Sequence, residues 1–167
     1  MNNKFMKWFI RRARAGRPWL FSRIMQEVIP FNRPHSISVT ELSQNGCKVY
    51  LPNKRRNRNH LGTMHATAIA TAAEYVSGLN VLEVFDMAGY RLIMIRIEVD
   101  YVRRPVGACY AESKWDETTL NAVRSDISAS GVSSFILKSI VIDSKNEKIA
   151  EAAIHWQVKS WEKVRVK

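Results

Sequence analysis

Apolar residues change their spacing several times along the chain, and each change marks a predicted element. Leu20, Phe21, Ile24, Met25, Val28 and Ile29 recur at helical spacing. Pro18 suits the first turn of that helix and Pro30 ends it. Ahead of it, residues 3–15 can form a shorter helix with Phe5, Trp8 and Phe9 on one side, stopped by Gly16. From Ser36 the pattern becomes strand-like. Residues 36–42 and 46–51 are short β-branched or apolar runs around Ser43-Gln44-Asn45-Gly46, a hairpin turn. A basic loop, Asn53 to Gly62, leads into a helix from Thr63 to Leu79 rich in Ala66, Ala68, Ala70, Ala72 and Ala73, which Gly78 or Asn80 can end.

Alternation is clearest from Arg91 to Val102, where Ile93, Ile95, Ile97, Val99 and Tyr101 are predicted on one face, opposite Arg96, Glu98 and Asp100. Pro105 and Gly107 break this strand, and Ala108 to Trp115 form the next. Asp116 can cap a helix carrying Leu120, Val123 and Ile127, stopped near Gly131. Two last strands, Ser133 to Ile142 and Ile149 to Val158, join through Asp143-Ser144-Lys145-Asn146. Mainly sequential strands around one small-residue helix predict an α+β fold, an antiparallel sheet wrapped around a long central helix. The divisions are a helical arm over 1–34, the domain proper over 35–160 and a tail over 161–167.

Charge adds a partner to this picture. The formal net charge is +11, and residues 1–34 hold eight Lys or Arg against Glu27 alone. Such a balance implies an anionic partner: a phosphorylated small molecule, a membrane surface or nucleic acid. The basic arm could pack on its own domain or make peripheral contact with an anionic membrane. Nucleic acid is the weaker reading, because no recognised module is present and the basic loop has no interleaved aromatics for base stacking. No apolar run approaches the roughly 20 residues that cross a bilayer. Basic residues interrupt the N-terminal apolar positions too often for a secretion signal. Cys47 and Cys109 suit reduced, buried thiols and hence the cytoplasm.

Candidate chemistry concentrates between Asn59 and Glu74. The run Asn59-His60-Leu61-Gly62-Thr63-Met64-His65-Ala66-Thr67, continuing through the alanines to Glu74-Tyr75, resembles the signature of hotdog-fold acyl-CoA thioesterases of the phenylacetate-pathway and 4-hydroxybenzoyl-CoA types. Asn59, His65, Ala66 and Glu74 fall at matching spacings, and Asp100-Tyr101-Val102-Arg103-Arg104-Pro105 resembles that family's strand ending. The resemblance covers roughly residues 35–160. With the helical arm and the helix near 117–129, it extends to a less characterised subfamily of thioesterase-like hotdog proteins. It implies a hotdog fold, hydrolysis of an acyl thioester, coenzyme A only as part of the substrate, and a homodimer or dimer of dimers. The sequence departs from many relatives in having Ala66-Thr67 where they have Gly-Gly, and Gly78 where some have a hydroxyl residue.

The residues support this chemistry independently. A helix start offers unpaired N–H groups and partial positive charge to a developing oxyanion. A carboxylate among small apolar residues has a raised pKa and can act as base or nucleophile. Glu74, Asn59, His65 and Ala66 are therefore the candidate catalytic residues. Ala66 and Glu74 are eight residues apart, about 12 Å along a helix axis. One carbonyl cannot touch both ends of one helix, so a dimer is expected in which His65 and Ala66 of one chain meet Glu74 of the other. Each member also has a structural alternative: Glu74 as an interface acid, His65 as a residue bonding a loop carbonyl, Asn59 as a turn residue. Arg55, Arg56, Arg58, Arg103 and Arg104 are candidates for the coenzyme A phosphates. The histidines make no convincing metal site, and no metal is expected. Two further readings are an acyl-CoA binder without turnover and a 3-hydroxyacyl thioester dehydratase using His60 and Glu74.

Overall fold

The computed structural model describes residues 18–43 and 46–164; the helix expected over 3–15 and the tip of the first hairpin lie outside them. Helix α1 (Pro18–Val28) starts at its proline and places Phe21 and Met25 in the core. Its buried Ser22 accepts a 2.8 Å hydrogen bond from the Val39 N–H. The apolar face of α1 is thus used against its own domain. Strands β1 (Ser38–Ser43) and β2 (Gly46–Leu51) form the predicted hairpin, with Ser43 opposite Gly46. Then follow α2 (Ala66–Val84), β3 (Tyr90–Tyr101), β4 (Cys109–Ser113), α3 (Glu117–Ser130), β5 (Val132–Asp143) and β6 (Lys148–Ser160). The six strands make one sheet in the order β1-β2-β4-β5-β6-β3, with every pairing antiparallel. This sheet wraps around α2, which is the hotdog architecture.

Helix α2 is apolar nearly all round, as a helix enclosed by a sheet must be. Ala68, Ala72 and Ala73 let strand backbones approach, and Ile69, Val76 and Leu79 fill the space between. Side chains of the sheet and of the segment after β4 bond to the helix: Ser139 Oγ donates to the Ala73 carbonyl, Trp156 Nε1 to Ser77 Oγ at 2.7 Å, and Trp115 Nε1 to the Asn80 carbonyl at 3.1 Å. These contacts explain one departure from expectation. Neither Gly78 nor Asn80 stops the helix, which runs on to Val84. Both residues are buried, so packing against Trp156 and Trp115 overrides their stop tendency.

The β3 alternation also differs. A bulge between Met94 and Arg96 inserts Ile95 as an extra residue, so the face changes there. Leu92 and Met94 share the helix-facing side with Trp156, as do Ile97, Val99 and Tyr101 further on; Ile93, opposite Gln157, is on the outer face. The other signals behave as their chemistry requires. Asp116 Oδ1 caps α3 by accepting from the Thr119 N–H at 2.8 Å, and Gly131 ends it at φ +74°.

The loop before α2 is organised by Asn57, which is fully buried. Its Nδ2 donates to the carbonyls of His35 and Pro52, both at 2.9 Å, and its Oδ1 pairs with His35 Nδ1 at 3.0 Å. Its own carbonyl accepts from the His65 N–H at 2.8 Å. One residue therefore joins the turn before β1, the end of β2 and the start of α2. Asn57→Ala removes the side-chain donor to the His35 carbonyl and one of two donors to the Pro52 carbonyl, which the Lys54 N–H also reaches; it is expected to lower stability by about 1–3 kcal/mol, measured as a fall in the urea midpoint with unchanged slope.

Candidate active site

The start of α2 carries His65 as its N-cap, with extended backbone at φ −70° and ψ 137°. Its Nδ1 accepts from the Thr67 N–H at 3.2 Å and lies 2.7 Å from Thr67 Oγ1. The Ala68 and Ile69 N–H groups turn back to the His65 carbonyl. The first helical N–H, that of Ala66, has no acceptor among the described residues, and Ala66 is exposed. The cap thus satisfies the inner donors and leaves one pointing outward, with the helix dipole behind it. The His65 side chain bonds Thr67 while its main-chain N–H donates to the Asn57 carbonyl in the loop; the capping role of this histidine and the part played by Thr67 were not visible in the motif.

Asn59 shapes the preceding turn. Its Oδ1 accepts from the N–H groups of Leu61 and Thr63 and from Thr63 Oγ1, at 3.0–3.2 Å. Its carbonyl oxygen is committed to the loop, so only the amide nitrogen remains for other work. His60 sits exposed in this same turn, outside the residues that line the cavity at Glu74.

Tyr101, at the far end of β3, belongs to the strand ending that resembles the family's, but the motif did not show what it bonds. Its hydroxyl donates to the Ala66 carbonyl at 2.8 Å and pins the edge strand to the start of α2. The same connection sets the second arginine-bearing loop beside the start of α2. Arg55 and Arg56 lie in the exposed turn beside Asn57, which bonds His65, while Arg103 and Arg104 follow Tyr101. Both loops border the start of α2. Arg58 is engaged with Asn53 through Nε and Nη2, and Arg103 pairs with Glu147, so those two already have partners.

Glu74 lies two turns further on, half-buried, beside a cavity of about 340 Å³. Leu79, Leu82, Tyr90, Leu92, Trp156 and Trp161 supply much of its wall, and among the described residues Arg91 is the only other charged one there. Among the described residues the carboxyl has no hydrogen-bond partner. Burial raises its pKa from the ordinary 4.5 to about 7. Within one chain, Glu74 and the Ala66 N–H stay about 12 Å apart along the axis. Thr67, Ala70, Thr71 and Glu74 form the partly open stripe of the helix, and this stripe connects the two.

The raised pKa has a consequence for stability. In the unfolded chain the group ionises near 4.5, in the folded protein near 7. The folded state thus holds the extra proton between these values, and stability falls as pH rises across that window, levelling off above it. Glu74→Gln removes this dependence. The variant is expected to match the wild type near pH 4 and to exceed it above pH 7 by up to about 3 kcal/mol, read from denaturant midpoints across the pH range.

Comparison with solved structures places this arrangement in context. The chain is similar to PA5026 from Pseudomonas aeruginosa, a protein of unknown function described as a probable thioesterase. The two share 25% identity and a TM-score of 0.76 over 86% of this chain and 96% of that one. A variant of the thioesterase PA1618 from the same organism matches with 10% identity and a TM-score of 0.64, covering 78% and 86% of the two chains. The thioesterase HI1161 from Haemophilus influenzae matches with 11% identity and a TM-score of 0.61, covering 77% and 82%. No curated protein matches the sequence significantly. No helix among the described residues is long and apolar enough to cross a membrane. A family model matches residues 17–158, nearly all of the fold from α1 to β6, and the chain belongs to that family, the "Domain of unknown function (DUF4442)".

Proposed function

We propose that the protein hydrolyses an acyl-CoA thioester at a site shared between two copies of the chain. The observation that carries this reading is the carboxyl of Glu74, held beside an apolar cavity with its pKa near 7. A carboxylate with that pKa is a competent base at neutral pH. It would take a proton from water as the water attacks the thioester carbonyl; the tetrahedral intermediate then collapses, and the proton passes to the departing thiolate. The Ala66 N–H of the other chain would donate to the oxyanion. Asn59, through its uncommitted amide nitrogen, would orient the carbonyl or the water, and His65 would fix the donor by capping the helix. Arg55, Arg56 and Arg104 would meet the coenzyme A phosphates, with Arg58 and Arg103 joining if they release their present partners. The thioesterases among the similar structures support the same class of reaction.

The second copy is supported by the edge strand. Among the described residues the twelve of β3 have no strand partner on one side, and Ile93, Met94 and Ile95 are exposed near the middle. Tyr101 and Ala66 lie at one end of this strand, and the Glu74 cavity lies at the other, beside Tyr90 and Leu92. Two such strands paired antiparallel about their centre would bring the Ala66 end of each chain to the cavity of its neighbour.

Three outcomes test this. Thiol release from an acyl-CoA panel should fall at least about 100-fold in Glu74→Gln, and the wild-type rate should rise with pH to a plateau above about 7; unchanged turnover in the variant rules out the carboxylate. Ala66→Pro removes only the N–H at a helix position where proline is well accepted, and His65 already has the extended backbone that must precede it. Each variant alone should be inactive, yet mixing the two should restore about a quarter of wild-type activity through heterodimers with one intact site. Ile95→Lys on the exposed bulge should yield a monomer by sedimentation and abolish turnover; a fully active monomer would overturn the shared site.

A further inference from the structure

Resting on the thioester reading of the Glu74 cavity, we propose that Gly78 is the residue that selects the acyl group. It does so by keeping open the lane along which an extended apolar chain passes from the carbonyl into the cavity. A glycine inside a helix costs about 1 kcal/mol relative to alanine. Gly78 has no conformational reason for this cost, since it is absent from the residues with positive φ. Packing does not demand it either. A methyl group at this position would meet the Trp156 ring at 3.4 Å and Glu74 Oε1 at 3.9 Å, both ordinary contacts. What the methyl would occupy is the gap between the carboxyl and the indole, at a point where Gly78 itself lines the cavity. Any chain leaving a carbonyl held at Glu74 enters there.

The opposite wall is fixed. Trp156 is buried, and its Nε1 donates to Ser77 Oγ, a bond that swinging the indole aside would break inside the core. The bore is therefore set by the missing Cβ, not by a movable side chain. Beyond it the walls are mostly aromatic and aliphatic. At the ~30 Å³ that a water-sized group occupies, the cavity of about 340 Å³ has room for a chain of roughly ten such groups. The acyl group that fits is a medium-length apolar chain, not a short or polar one.

The test compares wild type with Gly78→Ala, which should fold with an equal or higher melting temperature. Binding of non-hydrolysable S-alkyl-CoA thioethers, ethyl to dodecyl, is measured by calorimetry. Wild-type affinity should strengthen with length up to about the decyl thioether, at which the cavity is full. The variant should bind the ethyl thioether unchanged and the decyl thioether at least about tenfold more weakly. Equal affinities of the two proteins for the long thioethers, or wild-type binding independent of length, would overturn the gate. Thiol release is followed in parallel. A wild type that shows the length-dependent binding but releases no thiol refutes hydrolysis alone and leaves the selection by Gly78 established.

Discussion

Everything in this fold follows from enclosing one helix. Helix α2 carries apolar residues around most of its circumference, and exposing any of that surface to water would be unfavourable. The sheet covers it from several sides, with indole and hydroxyl groups of β5, β6 and the segment after β4 bonded to its backbone and to Ser77. One stripe is left partly open. It begins at the N–H of Ala66, passes the hydroxyls of Thr67 and Thr71 and reaches Glu74, so among the described residues it carries a donor and a carboxyl without partners. Burial strong enough to hold the helix also raises the pKa of that carboxyl. Stability and chemical readiness have the same origin here, and they oppose each other.

Much of the fold was legible because local signals agreed with the final packing. The aspartate at 116 and the glycine at 131 bounded α3 as their capping chemistry predicts, and the alternation of β5 survives intact in its burial. The alanines of α2 announced close approach of a sheet. What misled was local chemistry overruled from a distance. Gly78 and Asn80 look like helix stops, yet aromatic side chains 35 and 78 positions further along hold them inside a continuing helix. The inserted Ile95 reverses the faces of β3 midway, and nothing in a run of isoleucines marks a bulge. Strand order was equally hidden, because β3 leaves its sequence neighbours to pair with β6.

The candidate site shows the same division. A motif could point to His65, Ala66 and Glu74, because a helix start and a carboxyl eight residues later are local features. It could not show that the histidine is occupied as a cap, nor that Asn57, two positions before the motif's asparagine, is the residue tying three segments together. Tyr101 was within reach of inference as the last aromatic of a strand, but its partner is 35 residues away. Contacts that span such distances arise from curvature of the sheet, which periodicity does not encode.

The two borders of the sheet are unlike. On β1 an irregularity between Val39 and Glu41 disturbs the pairing, and exposed Thr40 and Glu41 add polar cover, whereas β3 offers a long apolar border. If β3 pairs with the β3 of a second copy, joining like border to like border would consume both sticky surfaces at once, and growth would end at a pair instead of running on into a fibre.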